Sequence, residues 1–305
     1  MIAPVGRWRL ILGTTALAAF GFLPLVALAL AALLVATRPV TRAERGLALA
    51  AATLGVGLLL LPATQGRLDA ATRAFVVLVT TAFTLGALLE PRAFLPQAVR
   101  ALGFGALATA LLLEALWGPW GWVDVARDAM LDARFSMQLA LDRVPDAAAL
   151  FHPLATFWGA AIPAVLALGT LGALAAAWQW HGQLARRPLG PPLTPFRQFS
   201  IGDRWVWTVI ASLAAWIAPV IGGLKIAALN VALISGALYA LRGAAIVAAF
   251  AAAAGVSTGA LVGLVIVATV LAVPLLVLVP GLWTLGLFDT WMNFRRRLDR
   301  RPTAP

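Results

Sequence analysis

Charged side chains punctuate this chain and leave long uncharged runs between them, at residues 10–37, 46–66, 74–89, 101–113, 147–185, 205–224, 226–241 and 243–288. A helix rises about 1.5 Å per residue, so crossing about 30 Å of hydrocarbon takes about 20 apolar residues. A charge at mid-bilayer costs about 2.5 to 3.5 kcal/mol on insertion scales, so charges mark the ends of crossings. The pattern therefore predicts an all-α, polytopic integral membrane protein, a single membrane domain over 1–305 with about eight to ten transmembrane helices in one bundle. Residues 10–37 form one tilted helix or a short hairpin breaking near Pro24. The run 243–288 is long enough for two passes, and its expected break is the stretch AGVSTG, residues 254–259.

The segments between the runs differ in sign. Arg38, Arg42 and Arg45, then Arg92 and Arg100, then the Pro-rich and Arg-rich loop 182–204, then the basic tail 289–305 are expected on the cytoplasmic face. Residues 118–152 hold five Asp against three Arg and are expected outside, carrying an amphipathic helix. After Arg204, a single helix over 226–254 would bury Arg242 and leave an odd number of passes, with the terminal arginines outside. The expectation is therefore a turn at Arg242 and four passes, although 226–241 then spans only about 24 Å.

Composition agrees with this pattern. The 305 residues are 62% hydrophobic and 11% charged, with mean hydropathy +0.93, far from the roughly 25% charge of soluble domains. The net charge of +11 sits in clusters at run ends, as orientation signals do, which argues against nucleic acid as a partner and for membrane lipids. There is no cysteine, and His152 and His181 stand far apart, so no cofactor or metal is expected from these residue types. Arg7 and Arg9 ahead of an apolar stretch imitate a secretory signal, but the run that follows is longer than a signal core, and a retained first helix is expected.

Polar residues inside the runs are the candidate ligand-binding positions, because they are costly there: Asn230, Arg242, Asp289 and, near the interfacial Trp117, Glu114. Arg242 and Asp289 are able to pair across adjacent helices. Asp124, Asp128 and Asp132 recur every four residues and could share Mg²⁺ with a diphosphate. The interleaved Arg127 and Arg134, with Met130, Leu131 and Phe135 on an apolar side, favour a surface helix instead. Gly255, Gly259 and Gly263 are spaced for close helix packing. At the end of the chain, Trp291 and Phe294 suit the membrane interface, with Arg295, Arg296 and Arg297 toward anionic headgroups. No phosphate loop, nucleophile elbow or zinc-protease motif occurs.

Over about residues 196–300, the stretches LNVALISGALYALRGAAIVAAF and LGLFDTWMNFRRRL resemble the YybS-like family of bacterial polytopic membrane proteins. Asn230, Gly243, Gly286, Asp289, Trp291, Phe294 and Arg295 carry the resemblance, while Arg242 stands where that family has Gln. The resemblance implies a fold similar to the substrate-binding components of energy-coupling-factor transporters, with 226–254 as one helix. It also implies partners, the coupling and ATPase subunits of such a transporter. The expected function is thus a small-molecule-binding or transport component of a bacterial inner membrane, without catalytic residues and with a cytoplasmic C-terminus. The alternatives are a membrane scaffold that recruits cytoplasmic partners and, behind it, a Mg-dependent lipid or prenyl transferase using the acidic loop 124–132.

Overall fold

The computed structural model describes residues 23–38, 42–60, 66–141, 148–185, 187–218, 222–257, 259–261, 263–264, 267 and 273–294. Among these there is no strand, and helix accounts for nearly everything else: α1 (Leu23–Ala36), α2 (Arg42–Leu60), α3 (Arg67–Leu89), α4 (Phe94–Trp117), α5 (Gly121–Leu141), α6 (Ala148–Leu184), α7 (Trp205–Ile217), α8 (Gly222–Ala253) and α9 (Val273–Met292), with one 3-10 turn at Phe196–Gln198. Four helices are long and apolar enough to cross a membrane: α3, α4, residues Thr156–Leu184 of α6, and Gly223–Ala253 of α8. The chain divides into two compact units, 1–193 and 194–305, where the sequence pattern suggested one domain.

In the first unit, α1 packs on α2 and α6, α3 on α4, and α5 on α6. Helix α4 shows why this is a membrane protein rather than a soluble bundle. Its buried face, Ala98, Ala101, Leu102, Gly105, Thr109 and Leu113, is mostly small residues. Its outward stripe, Phe104, Leu107 and Leu111, is large, apolar and exposed. Packing in lipid rests on close backbone approach, because lipid tails already satisfy large apolar side chains. A Cβ on Gly105 would overlap the Val79 backbone of α3, and one on Gly159 of α6 would overlap the Met130 backbone of α5.

The hydroxyls obey the same solvent. Thr72, Thr84, Thr109, Thr170 and Ser235 each donate to the carbonyl four residues earlier, at 2.7–2.9 Å. Without water to serve them, polar side chains on these helices turn back to their own backbone. Pro153 and Pro163 lie inside α6, each removing one backbone donor from the helix. The Pro-rich segment after α6 is held by its own bundle: Trp178 Nε1 donates to the Pro191 carbonyl at 3.0 Å, and the ring of Trp178 packs edge-on against Phe83.

In the second unit, α7 packs on α8 and α8 on α9. Arg242 does not end a helix. Helix α8 continues through it for 32 residues in all, which corrects the expected turn at that position. The physical reason is twofold. Arg242 stands about 30 Å along α8, near one full hydrocarbon thickness from its start, and its charge is met by carboxylates of the same unit. The helix ends instead after Ala253, with Gly255 at φ +80, inside the stretch expected to break. A positive φ at that point is the usual glycine end of a helix.

Helices α8 and α9 run in the same direction. Gly236 faces Trp283, Gly286 lies on the Tyr239 carbonyl, and Arg242 reaches Asp289, a constant offset that only parallel helices give.

Candidate functional site

The crossing of α8 and α9 is set by two glycines. A Cβ on Gly243 would overlap the Leu282 carbonyl oxygen, and one on Gly286 would overlap the Tyr239 carbonyl oxygen. With both absent, the two backbones touch, and the long side chains flanking them are forced to either side of the contact.

On one side lies a buried ionic cluster. Arg242 is 4% exposed and Asp289 5%, and Arg242 Nε donates to Asp289 Oδ2 at 3.0 Å. Arg242 Nη1 donates to the Ile201 carbonyl and to Asp203 Oδ1, both at 3.2 Å. Thr290 Oγ1 stands 3.5 Å from the same nitrogen. Of the two carboxylates, Asp289 is enclosed, whereas the side chain of Asp203 is 65% exposed. The fully buried Tyr239 hydroxyl, beside Thr290, completes no hydrogen bond of normal geometry among the described residues.

Asp289 has a second task. Its Oδ1 accepts the backbone N–H of Phe294 at 2.8 Å, while Asn293 takes φ +47 and its N–H returns to the Asp289 carbonyl. The carboxylate thus ends α9, turns the chain, and fixes the residue from which the basic tail departs. Because Arg242 touches both Ile201–Asp203 and Asp289–Thr290, the entry to α7 and the end of α9 lie at the same end of this unit.

On the far side of the ion pair is an open groove of about 620 Å³, lined by Ile246, Val247, Phe250, Ala251 and Ala254 of α8 with Leu285 and Phe294. Every lining side chain is apolar. Ile246 lies one turn beyond Arg242, and Leu285 one turn before Asp289, so the ion pair neighbours the groove, and Asp289 fixes the backbone of Phe294, one of its walls.

The other sequence candidates do not join this site. Asn230 is buried and donates to the Ile226 carbonyl at 2.8 Å, but it lies about 18 Å back along α8 from Arg242. Glu114 is exposed on α4 in the first unit. Gly255 ends a helix rather than packing one. Among the described residues, a Cβ on Gly263 would meet nothing within 4 Å and one on Gly259 only Ser257 of its own turn, whereas Gly243 and Gly286 do bring two helices into close contact.

Asp124 pairs with Arg67 at 3.5 Å and Arg127 at 3.3 Å, and no group of three acidic or histidine side chains among the described residues is arranged to hold a metal ion. Helix α5 buries Val125, Ala126 and Ala129, while Leu131 and Phe135 of the expected apolar side are exposed. Trp291 is 61% exposed, and Arg295, Arg296 and Arg297 lie outside the described residues.

Sequence reasoning singled out Arg242 and Asp289 but not Asp203, and nothing in the pattern signalled the groove. No family model, no curated protein and no solved structure matches this chain. The chain is an all-α integral membrane protein, and its second unit carries a buried Arg–Asp pair and, one turn along the same helices, an apolar groove.

Proposed function

We propose that the protein is a bacterial inner-membrane component that binds a small molecule between α8 and α9, with energy for transport supplied by partner subunits. The observation that supports this reading is the groove beside the Arg242–Asp289 pair. Ligand sites are concave, mostly apolar and about 300–1,000 Å³ in volume, and this groove has that size and lining, with the ion pair one turn away on both helices. Intramembrane ionisable residues mark such sites because they are otherwise costly to retain. Of the seven positions that carry the resemblance to the YybS-like family, Gly243, Gly286, Asp289 and Phe294 lie at this crossing.

The test is native mass spectrometry of the full chain purified in mild detergent from its own host. A retained small molecule that is lost on Ala251→Trp, or co-purifying ATPase and coupling subunits, is the expected result. A bare protein in both cases would turn the assignment to the second reading, a scaffold. That reading has its own support: Arg242 draws the loop ahead of α7 and the root of the basic tail to one end, as a joint recruiting surface on the cytoplasmic face would require.

A further inference from the structure

We propose that Arg242 anchors a binding site for a small carboxylate, and that Asp203 is the chain's own stand-in for that ligand. The site lies at the end of the second unit where α7 begins and α9 ends, and it stands whether or not the groove binds anything. Three observations lead to it.

The first is the way the guanidinium is shared. Nε donates to Asp289 Oδ2, and Nη1 donates to the Ile201 carbonyl and to Asp203 Oδ1. Nη2 completes no hydrogen bond among the described residues, and it is not shut off from solvent as the Tyr239 hydroxyl is. Asp203 thus holds the outer edge of the guanidinium through one nitrogen only. That edge, Nη1 with Nη2, is a planar fork that a free carboxylate engages with two parallel bonds.

The second is an excess of donors. The Tyr239 hydroxyl is fully buried beside Thr290 without a hydrogen bond of normal geometry, and Thr290 Oγ1 stands 3.5 Å from Nη1. With Nη2 unmet as well, the cluster is short of acceptors. Water would bring donors of its own, whereas a carboxylate brings acceptors alone. Charge points the same way. Arg242 and Asp289 cancel, so a monocarboxylate that replaces Asp203 on the fork leaves the charge around Arg242 as it was. A phosphate dianion would set a further negative charge beside buried Asp289, where low dielectric magnifies the repulsion.

The third is the freedom of Asp203 to leave. Its side chain is 65% exposed against 5% for Arg242, and an ion pair that reaches into water is weak. The backbone around it is fixed by other means. The Gly202 and Asp203 carbonyls accept the N–H groups of Trp205 and Val206, and Ile201 is buried. Rotation of the Asp203 side chain therefore opens the fork without disturbing the start of α7 or the Arg242–Asp289 pair.

The experiment titrates the full chain, in dodecyl maltoside micelles that carry no phosphate, with acetate and with its uncharged analogue acetamide. Association is read by saturation-transfer difference NMR on the methyl protons of each probe. The wild type should bind acetate saturably and acetamide not at all. Asp203→Asn should bind acetate about tenfold more tightly, as follows if the tethered carboxylate fills the fork about nine-tenths of the time. Asp203→Ala should show the same gain, and Arg242→Met/Asp289→Leu, which removes the fork and its counter-ion together, should bind no acetate.

Acetate binding no tighter in both Asp203 variants than in the wild type would overturn Asp203 as the occupant. Absence of saturable acetate binding from the wild type and both Asp203 variants would overturn the site itself. So would acetamide binding equal to that of acetate, or acetate binding that survives in Arg242→Met/Asp289→Leu. Inorganic phosphate that displaces acetate at equal or lower concentration would overturn the choice of a carboxylate.

Discussion

A buried guanidinium and a buried carboxylate 3.0 Å apart are costly to desolvate and costlier still to separate. Removing one partner of such a pair costs about 3–5 kcal/mol, whereas replacing both by apolar residues of similar volume is near neutral. Asp289→Asn should therefore destabilise the folded chain in detergent by about 3 kcal/mol, and Arg242→Met/Asp289→Leu should recover most of that loss in thermal unfolding. Asp203→Asn should change stability by no more than about 1 kcal/mol, because its side chain is largely in solvent. An Asp289→Asn protein as stable as the wild type would mean that Asp203 alone satisfies Arg242. Of this cluster, the two members inside apolar runs were legible in the sequence, because a charge there needs a partner. Asp203 was not, because a loop acid ahead of a helix reads the same whether or not it folds back. Tyr239 stands out as a polar residue inside an apolar run, but its place beside Thr290 was not legible, since that contact comes from another helix.

Helices in this protein are matched to each other by what their residues lack. Gly286 and Gly243 permit the α8–α9 backbones to meet, so Gly286→Val should part the helices, break the Arg242–Asp289 hydrogen bond, and lower the melting temperature more than Gly263→Val, whose surroundings are open. Equal effects of the two substitutions would sink the account of the crossing. The connection between α3 and α4 is held by charge instead. Arg92 donates a hydrogen bond to exposed Glu90, with Arg100 at 4.0 Å, and the Arg92 bond holds the Glu90 carboxyl below its ordinary pKa. A lowered folded-state pKa contributes stability above the ordinary value and loses it as pH falls through the lowered one. The gap in melting temperature between wild type and Glu90→Gln should accordingly be largest at neutral pH and close in acid. The helix break at 254–259 was legible from its glycines and serine, but the continuity of α8 was not. Dividing a chain at its charges assumes that each charge faces water, and that assumption fails where a partner arrives from another helix 47 residues away.

Across the whole molecule, exposed apolar stripes such as Phe104, Leu107 and Leu111, together with hydroxyls turned back on their own helices, describe a chain whose solvent is hydrocarbon. This much was plain from hydropathy alone. The division into two units was not, since uncharged runs state how many helices form but not which of them associate. The parallel pairing of α8 with α9 bears on how the protein is made. Arg242 leaves the ribosome 47 residues before Asp289, which at about 5–20 residues per second is a delay of roughly 2 to 9 seconds. During that interval the nascent α8 holds an arginine at the edge of the bilayer with only the weaker, exposed Asp203 to answer it. The burial of Arg242 is thereby completed only once α9 has been made. A chain stopped at Thr284 should be cleared quickly by membrane proteases in pulse-chase labelling, and Arg242→Leu should prolong its life.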